Sequence, residues 1–124
     1  MLMVLLGTTK ENHWNAVLKK ALEPLGGFDV MTQEQLAGDK LDSKYKIVAL
    51  DATYVDNVER FVSQLRNEQP DRRIVVFTAA PTWQGARAAF EAGATDYLPK
   101  TLAQSELLNA FREVKRKRLP PWPR

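Results

Sequence analysis

Five short strand-like segments, three of them almost wholly apolar and each followed by a stretch with helical spacing, set the tightest limit on how this chain folds. The runs cover residues 3–6, 28–31, 46–50, 74–77 and 95–98. They show almost no alternation of apolar with polar residues, so they read as strands covered on both faces, the habit of parallel sheets. Between them lie the helices. Trp14, Val17, Leu18, Ala21, Leu22 and Leu25 recur at three and four from about Asn12, a helical stripe that stops at residues 24–27 with Pro and Gly. Thr32 followed by Gln35 matches a capping box for a short helix through Leu36. Val55, Val58, Phe61, Val62 and Leu65 form another stripe, closed by Pro70 and Asp71. Pro81 stands near the start of a fourth helix, where its missing N–H costs little. Ala86, Ala89, Phe90 and Ala92 give that helix a face of mostly small residues before Gly93. Thr101 and Gln104 read as the cap of a last helix bearing Leu107, Leu108, Phe111 and Val114; Pro120, Pro121 and Pro123 prevent its continuation. Five βα units in succession predict a doubly wound α/β sandwich: a five-stranded parallel sheet between two helical layers, joined by right-handed crossovers.

A chain of 124 residues is enough for one such domain. It has no cysteine, which excludes disulfide scaffolds, thiol catalysis and Cys-based zinc sites. His13 is its one histidine, so a two-histidine metal site is excluded too. The apolar opening has no basic stretch before it and no small-residue cleavage site after it, so it does not read as a signal peptide. No segment approaches the roughly 18 apolar residues of a membrane span, and a cytoplasmic location away from membranes is expected. The net charge is +3, but Arg112, Lys115, Arg116, Lys117, Arg118 and Arg124 oppose Glu113 alone beyond residue 111, leaving the body mildly acidic. A basic run there reads as a helix end complementing the helix dipole. A nucleic-acid role is confined to that run, Lys115 to Arg118.

In such a sheet, ligands bind beyond the carboxyl ends of the strands, near the switch point. Asp51 ends the third run, Thr78 the fourth, and Lys100 follows the fifth. An acid, a hydroxyl and an ammonium at one mouth can accept, orient and charge-balance a phosphoryl group. The segments that carry them resemble the receiver domains of two-component response regulators, over residues 1–118. Residues 47–51, Ile-Val-Ala-Leu-Asp, resemble that family's third strand with its acceptor aspartate. Residues 75–79, Val-Val-Phe-Thr-Ala, resemble its fourth, and residues 89–100 its Ala-Gly-Ala-x-Asp-Tyr-Leu-x-Lys signature. The resemblance implies a flavodoxin-like strand order of 2-1-3-4-5, with residues 119–124 a Pro-rich tail or linker stub. It implies that a histidine on a partner kinase passes phosphoryl to Asp51 with Mg²⁺ bridging, that Thr78 and Lys100 contact the phosphate, and that Tyr97 is the switch aromatic. It also implies a histidine kinase or other signalling protein as partner. Two copies would pair through the fourth helix, fifth strand and fifth helix, where Trp83 or Arg87 and Tyr97 would lie.

The chain departs from the family in the loop after the first strand. Where the family carries a pair of acids, this sequence reads Leu5-Leu6-Gly7-Thr8-Thr9-Lys10. Mg²⁺ is usually held by one or two carboxylates besides phosphate and water, and the candidates here are Asp51, the Thr53 carbonyl and Glu11. Glu11 reads more simply as a first-turn helix acid. An ammonium, from Lys10 or from Lys100, is the alternative neighbour for Asp51. Thr101 stands where the family often has a cis proline that aims the lysine, which leaves the aim of Lys100 unset. Tyr54 is placed to occlude the pocket. The expectation is an atypical receiver or pseudo-receiver, not an enzyme, with no resident cofactor. It would act by protein contacts, with weak or no Mg²⁺-dependent phosphorylation at Asp51. The alternative is a functional phosphoacceptor served by a histidine kinase. A lesser one is a nucleotide- or flavin-binding enzyme, for which Gly7-Thr8-Thr9 is the nearest thing to a phosphate loop.

Overall fold

Side chains along a strand point alternately to opposite faces, and in the three central strands both faces are buried, whereas the expected double burial does not extend to the edge strands at residues 29–31 and 96–99. Met3, Leu5, Ile47, Ala49, Val75 and Phe77 lie in one core; Val4, Leu6, Val48, Leu50, Ile74 and Val76 lie in the other. The computed structural model describes residues 2–36 and 39–117. Its elements are β1 (Leu2–Leu6), α1 (His13–Leu22), a 3-10 turn (Glu23–Leu25), β2 (Asp29–Met31), α2 (Gln33–Leu36) and β3 (Tyr45–Asp51). There follow α3 (Val58–Glu68), β4 (Arg73–Thr78), α4 (Trp83–Ala92), β5 (Asp96–Pro99) and α5 (Gln104–Arg116). The strands form one parallel sheet in the order β2-β1-β3-β4-β5, the flavodoxin-like, doubly wound arrangement. Leu18, Ala21 and Leu22 of α1 and Leu107, Phe111 and Val114 of α5 cover the first core, while Phe61, Val62 and Leu65 of α3 and Ala89 of α4 cover the second.

The caps set where helices start. Asn12, in extended backbone, accepts the Asn15 N–H on its side chain at 2.8 Å, so α1 begins at His13. Glu11 therefore lies before the cap, outside the first turn, and is not the helix acid expected of it. Thr32 and Gln35 bond reciprocally through side chain and backbone at 3.1 and 2.8 Å, which satisfies two otherwise orphaned donors. Thr82 caps α4, accepting the Gly85 N–H at 2.9 Å; Pro81 precedes that cap rather than opening the helix.

Thr101 does not cap α5: the chain is still turning after β5 there, and the helix starts at Gln104, where the Glu106 side chain accepts the Ala103 N–H at 2.9 Å. Phe90 is not on the packed face of α4 but is 41% exposed. Ala89, one position earlier, takes the centre of the contact, and a step of about 100° around the helix turns Phe90 outward.

The end of the domain opposite the carboxyl ends of the strands is held by two buried arginines. Arg66 donates to the carbonyls of Gly93 (2.7 and 3.1 Å), Pro70 (2.8 Å) and Arg72, joining α3 to the end of α4 and the start of β4. Arg72 donates to the carbonyls of Tyr45 and Asp42 at 3.0 and 3.2 Å. Gly93 has φ +117°, and a Cβ there would lie 2.9 Å from Arg66 Cγ. Only glycine suits both demands. Arg118 and residues 119–124 lie outside the described residues.

Candidate functional site

The strand order reverses between β1 and β3, so the carboxyl ends of these two strands flank the crevice where such sheets bind ligands. Asp51, the last residue of β3, is fully buried there. Gly7 follows β1 and brings bare backbone against it: a Cβ on Gly7 would stand 3.1 Å from Asp51 Cβ. The Asp51 Oδ1 oxygen accepts the Thr53 N–H at 3.1 Å and lies 2.8 Å from Lys100 Nζ. Its Oδ2 is buried with no hydrogen-bond partner among the described residues.

Lys100 reaches Asp51 without a proline behind it. Its backbone N–H donates to the Thr78 carbonyl at 2.9 Å, extending the β4–β5 ladder past Pro99 and setting the direction of the side chain. The ammonium is 3.4 Å from Thr53 Oγ1, 4.7 Å from the ring centre of Trp14 and 5.8 Å from that of Tyr54. Its side chain is 16% exposed. Two aromatic rings, a hydroxyl and a carboxylate thus surround one cation.

Thr78 ends β4, and its hydroxyl accepts the Ala80 N–H at 3.1 Å. Tyr97, in β5, is half-buried, with its hydroxyl filling the notch at Gly85 where a Cβ would come within 2.6 Å. Tyr54 is 44% exposed at the mouth. Lys10 is exposed and makes no ion pair among the described residues; the cation beside Asp51 is Lys100. Glu11 is also exposed, and it lines a separate groove of about 650 Å³ with Lys19, Lys20, Glu23 and Phe28, a groove that does not include Asp51. Trp14 is the residue that sequence reasoning missed. It reads as one member of the α1 stripe, and nothing local separates a ring over the core from a ring over a cation.

These residues do not fit a magnesium ion. Position 7 has no side chain, Thr8 Oγ1 accepts the Lys10 N–H at 3.2 Å, and Glu11 points to solvent. No group of three or more His, Cys, Asp or Glu suited to a metal occurs among the described residues. Among the described residues Asp51 is the one carboxylate placed at this mouth, and the Lys100 ammonium pairs with it.

No family model matches the chain. It is 37% identical over 114 residues to the photosynthetic apparatus regulatory protein RegA of Cereibacter sphaeroides, a match taking in 86% of this chain and 59% of that protein. The chain thus spans about 59% of the length of this relative. In structure it resembles the BeF3-activated receiver domain of DrrB from Thermotoga maritima, with a TM-score of 0.73, 20% identity, and 94% and 99% of the two chains covered. It is also similar to a putative pilus assembly protein, cpaE, of Burkholderia thailandensis, with a TM-score of 0.70, 20% identity, and 94% and 100% covered. No helix among the described residues is long and apolar enough to cross a membrane. The chain has the fold of a response-regulator receiver domain.

Proposed function

We propose that this chain is a receiver-type signalling domain that acts through protein contacts, with weak or no Mg²⁺-dependent phosphorylation at Asp51. The observation that carries this reading is the 2.8 Å contact of Lys100 Nζ with a carboxylate that is fully buried. Attack of a carboxylate on a phosphoryl dianion brings like charges together, and catalysis there is mainly positioning and charge neutralisation. In this chain the neutralising charge is an internal ammonium, and Glu11, the acid of the loop after β1, is exposed and lines a separate groove that does not include Asp51.

Its partner is a histidine kinase or another signalling protein. The outer face of α4 supports contact with a protein or a second copy through α4, β5 and α5, since Trp83 is 68% and Phe90 41% exposed. At the basic end of α5, Lys117 Nζ donates to the Thr95 carbonyl at 2.9 Å, while Arg116 makes an exposed pair with Glu113 of the same helix at 2.9 Å. The Lys117 contact supports a helix-terminal role for the basic run.

Incubation with Mg²⁺ and acetyl phosphate, followed by intact mass, tests the proposal. The expected result is no adduct. A stoichiometric phosphate adduct, absent from Asp51→Asn, overturns it in favour of a working phosphoacceptor.

A further inference from the structure

We infer that Trp14 and Tyr54 are positioning residues, a pair of rings that clamps the Lys100 ammonium onto Asp51. This inference rests on the proposed resting pair of Asp51 with Lys100 and concerns what keeps it closed. A lysine ammonium is compact and strongly hydrated. Left to itself at the rim of a site, it exchanges readily between a carboxylate and water. Here it lies 4.7 Å from the ring centre of Trp14 and 5.8 Å from that of Tyr54, both within the range of cation–π attraction. Such contacts favour the held state by roughly twofold at exposed sites and by about thirtyfold where water is excluded.

The two rings are held differently. Trp14 is fixed from behind: it meets Phe77 edge-on at 5.0 Å, and Phe77 stacks on Phe111 of α5 at 5.9 Å. Its indole N–H is buried without a partner, so the ring sits where packing and the cation hold it and not where a hydrogen bond directs it. Tyr54 is 44% exposed and rides on the turn closed by its own N–H to the Asp51 carbonyl, at 3.0 Å. It is the side of the clamp that a docking protein can reach. Because that turn begins at Asp51 itself, moving Tyr54 removes one wall of the site without disturbing the sheet.

The reactivity of lysine amines toward N-hydroxysulfosuccinimide acetate, followed by peptide mass spectrometry on the whole chain at one pH, tests this. In the wild type Lys100 is expected to acetylate at least about tenfold more slowly than the exposed Lys19 and Lys40. Tyr54→Ala and Trp14→Leu should each raise the Lys100 rate about fivefold while leaving Lys19 and Lys40 unchanged, and Tyr54→Phe should keep it at the wild-type value. An unchanged Lys100 rate in Tyr54→Ala overturns the clamp, as does a wild-type Lys100 as reactive as Lys19. Tyr54 is exposed, so its variant remains informative even if Trp14→Leu impairs folding. No phosphodonor enters this assay. A failed clamp therefore leaves the proposed function standing, and an Asp51 phosphate adduct leaves the clamp standing.

Discussion

Replacing Lys100 by methionine keeps an unbranched apolar stem reaching as far as Cε and deletes the terminal ammonium with its charge. What remains is a carboxylate with 0% exposure and one hydrogen bond, from the Thr53 N–H. Breaking a buried ion pair from one side costs about 3–5 kcal/mol, because the other charge is left uncompensated. Lys100 is itself 16% exposed, which admits some water, so a loss of about 3 kcal/mol is expected. The reverse variant, Asp51→Asn, is milder. Its amide oxygen still accepts the Thr53 N–H and the freed ammonium can turn to solvent, so about 1 kcal/mol is lost. The double variant buries no charge and should lose about 2 kcal/mol rather than the additive 4, an interaction of about 2 kcal/mol. Urea unfolding followed by circular dichroism, with the slope m checked for constancy, measures all four corners. A domain with a typical stability of about 5–15 kcal/mol survives each change. Lys10→Met, run in parallel, should stay within about 0.5 kcal/mol of wild type, since that side chain is exposed. Additive losses within about 0.5 kcal/mol would mean the contact is not an energetic pair, and would refute the reasoning.

Other expectations rest on different parts of the molecule. Arg66→Met should lose about 3 kcal/mol by stripping the donor from the Gly93, Pro70 and Arg72 carbonyls. Burial lowers the Arg66 guanidinium to about 10. The unfolded chain therefore holds that proton more tightly, the cost of burying the charge is constant below about 10, and the loss in urea should be flat with pH until there. Tyr45 donates to Asp29 at 2.6 Å, and this bond, with burial, raises its phenol above the ordinary value of 10.0. Its stabilisation is full below that value and disappears as pH rises through the folded one. Absorbance titration of tyrosinate should show one delayed group that Tyr45→Phe abolishes. Gly85→Ala places a Cβ 2.6 Å from the Tyr97 hydroxyl, so the ring must move. Nuclear magnetic resonance should report shifted Tyr97 ring signals with an intact sheet, and unchanged signals would mean the notch is not filled as described.

Short-range physics made much of this domain legible in the chain alone. Apolar runs such as those of β1, β3 and β4 can be buried on both faces only in a covered parallel sheet, while the edge strands β2 and β5, each starting at an aspartate and less buried, are legible mainly from their place between helices. Asp51, Thr78 and Lys100 stand out because each adjoins the end of such a run, and strand ends are where this architecture opens. Contacts made across the fold have no local signature. Nothing in residues 13–22 says that Trp14 faces a cation while Leu18 faces the core, because one helical stripe contains both. Lys10 and Lys100 are equal candidates in a string of letters, and only the β4–β5 ladder, through the Lys100 N–H and the Thr78 carbonyl, brings the second of them onto Asp51. Arg66 and Arg72 look like helix-end and loop cations until packing carries them inside, where carbonyls converge on both. Gly7 marks a strand end by itself, and its 3.1 Å approach to Asp51 exists because β1 and β3 lie side by side. The layers and the strand ends follow from the chain's local patterns, since propensity and periodicity act over a few residues. Which charge meets Asp51, and which rings enclose it, was decided only by tertiary structure, because those partners come from residues 14, 54 and 100 and meet only when the sheet has formed.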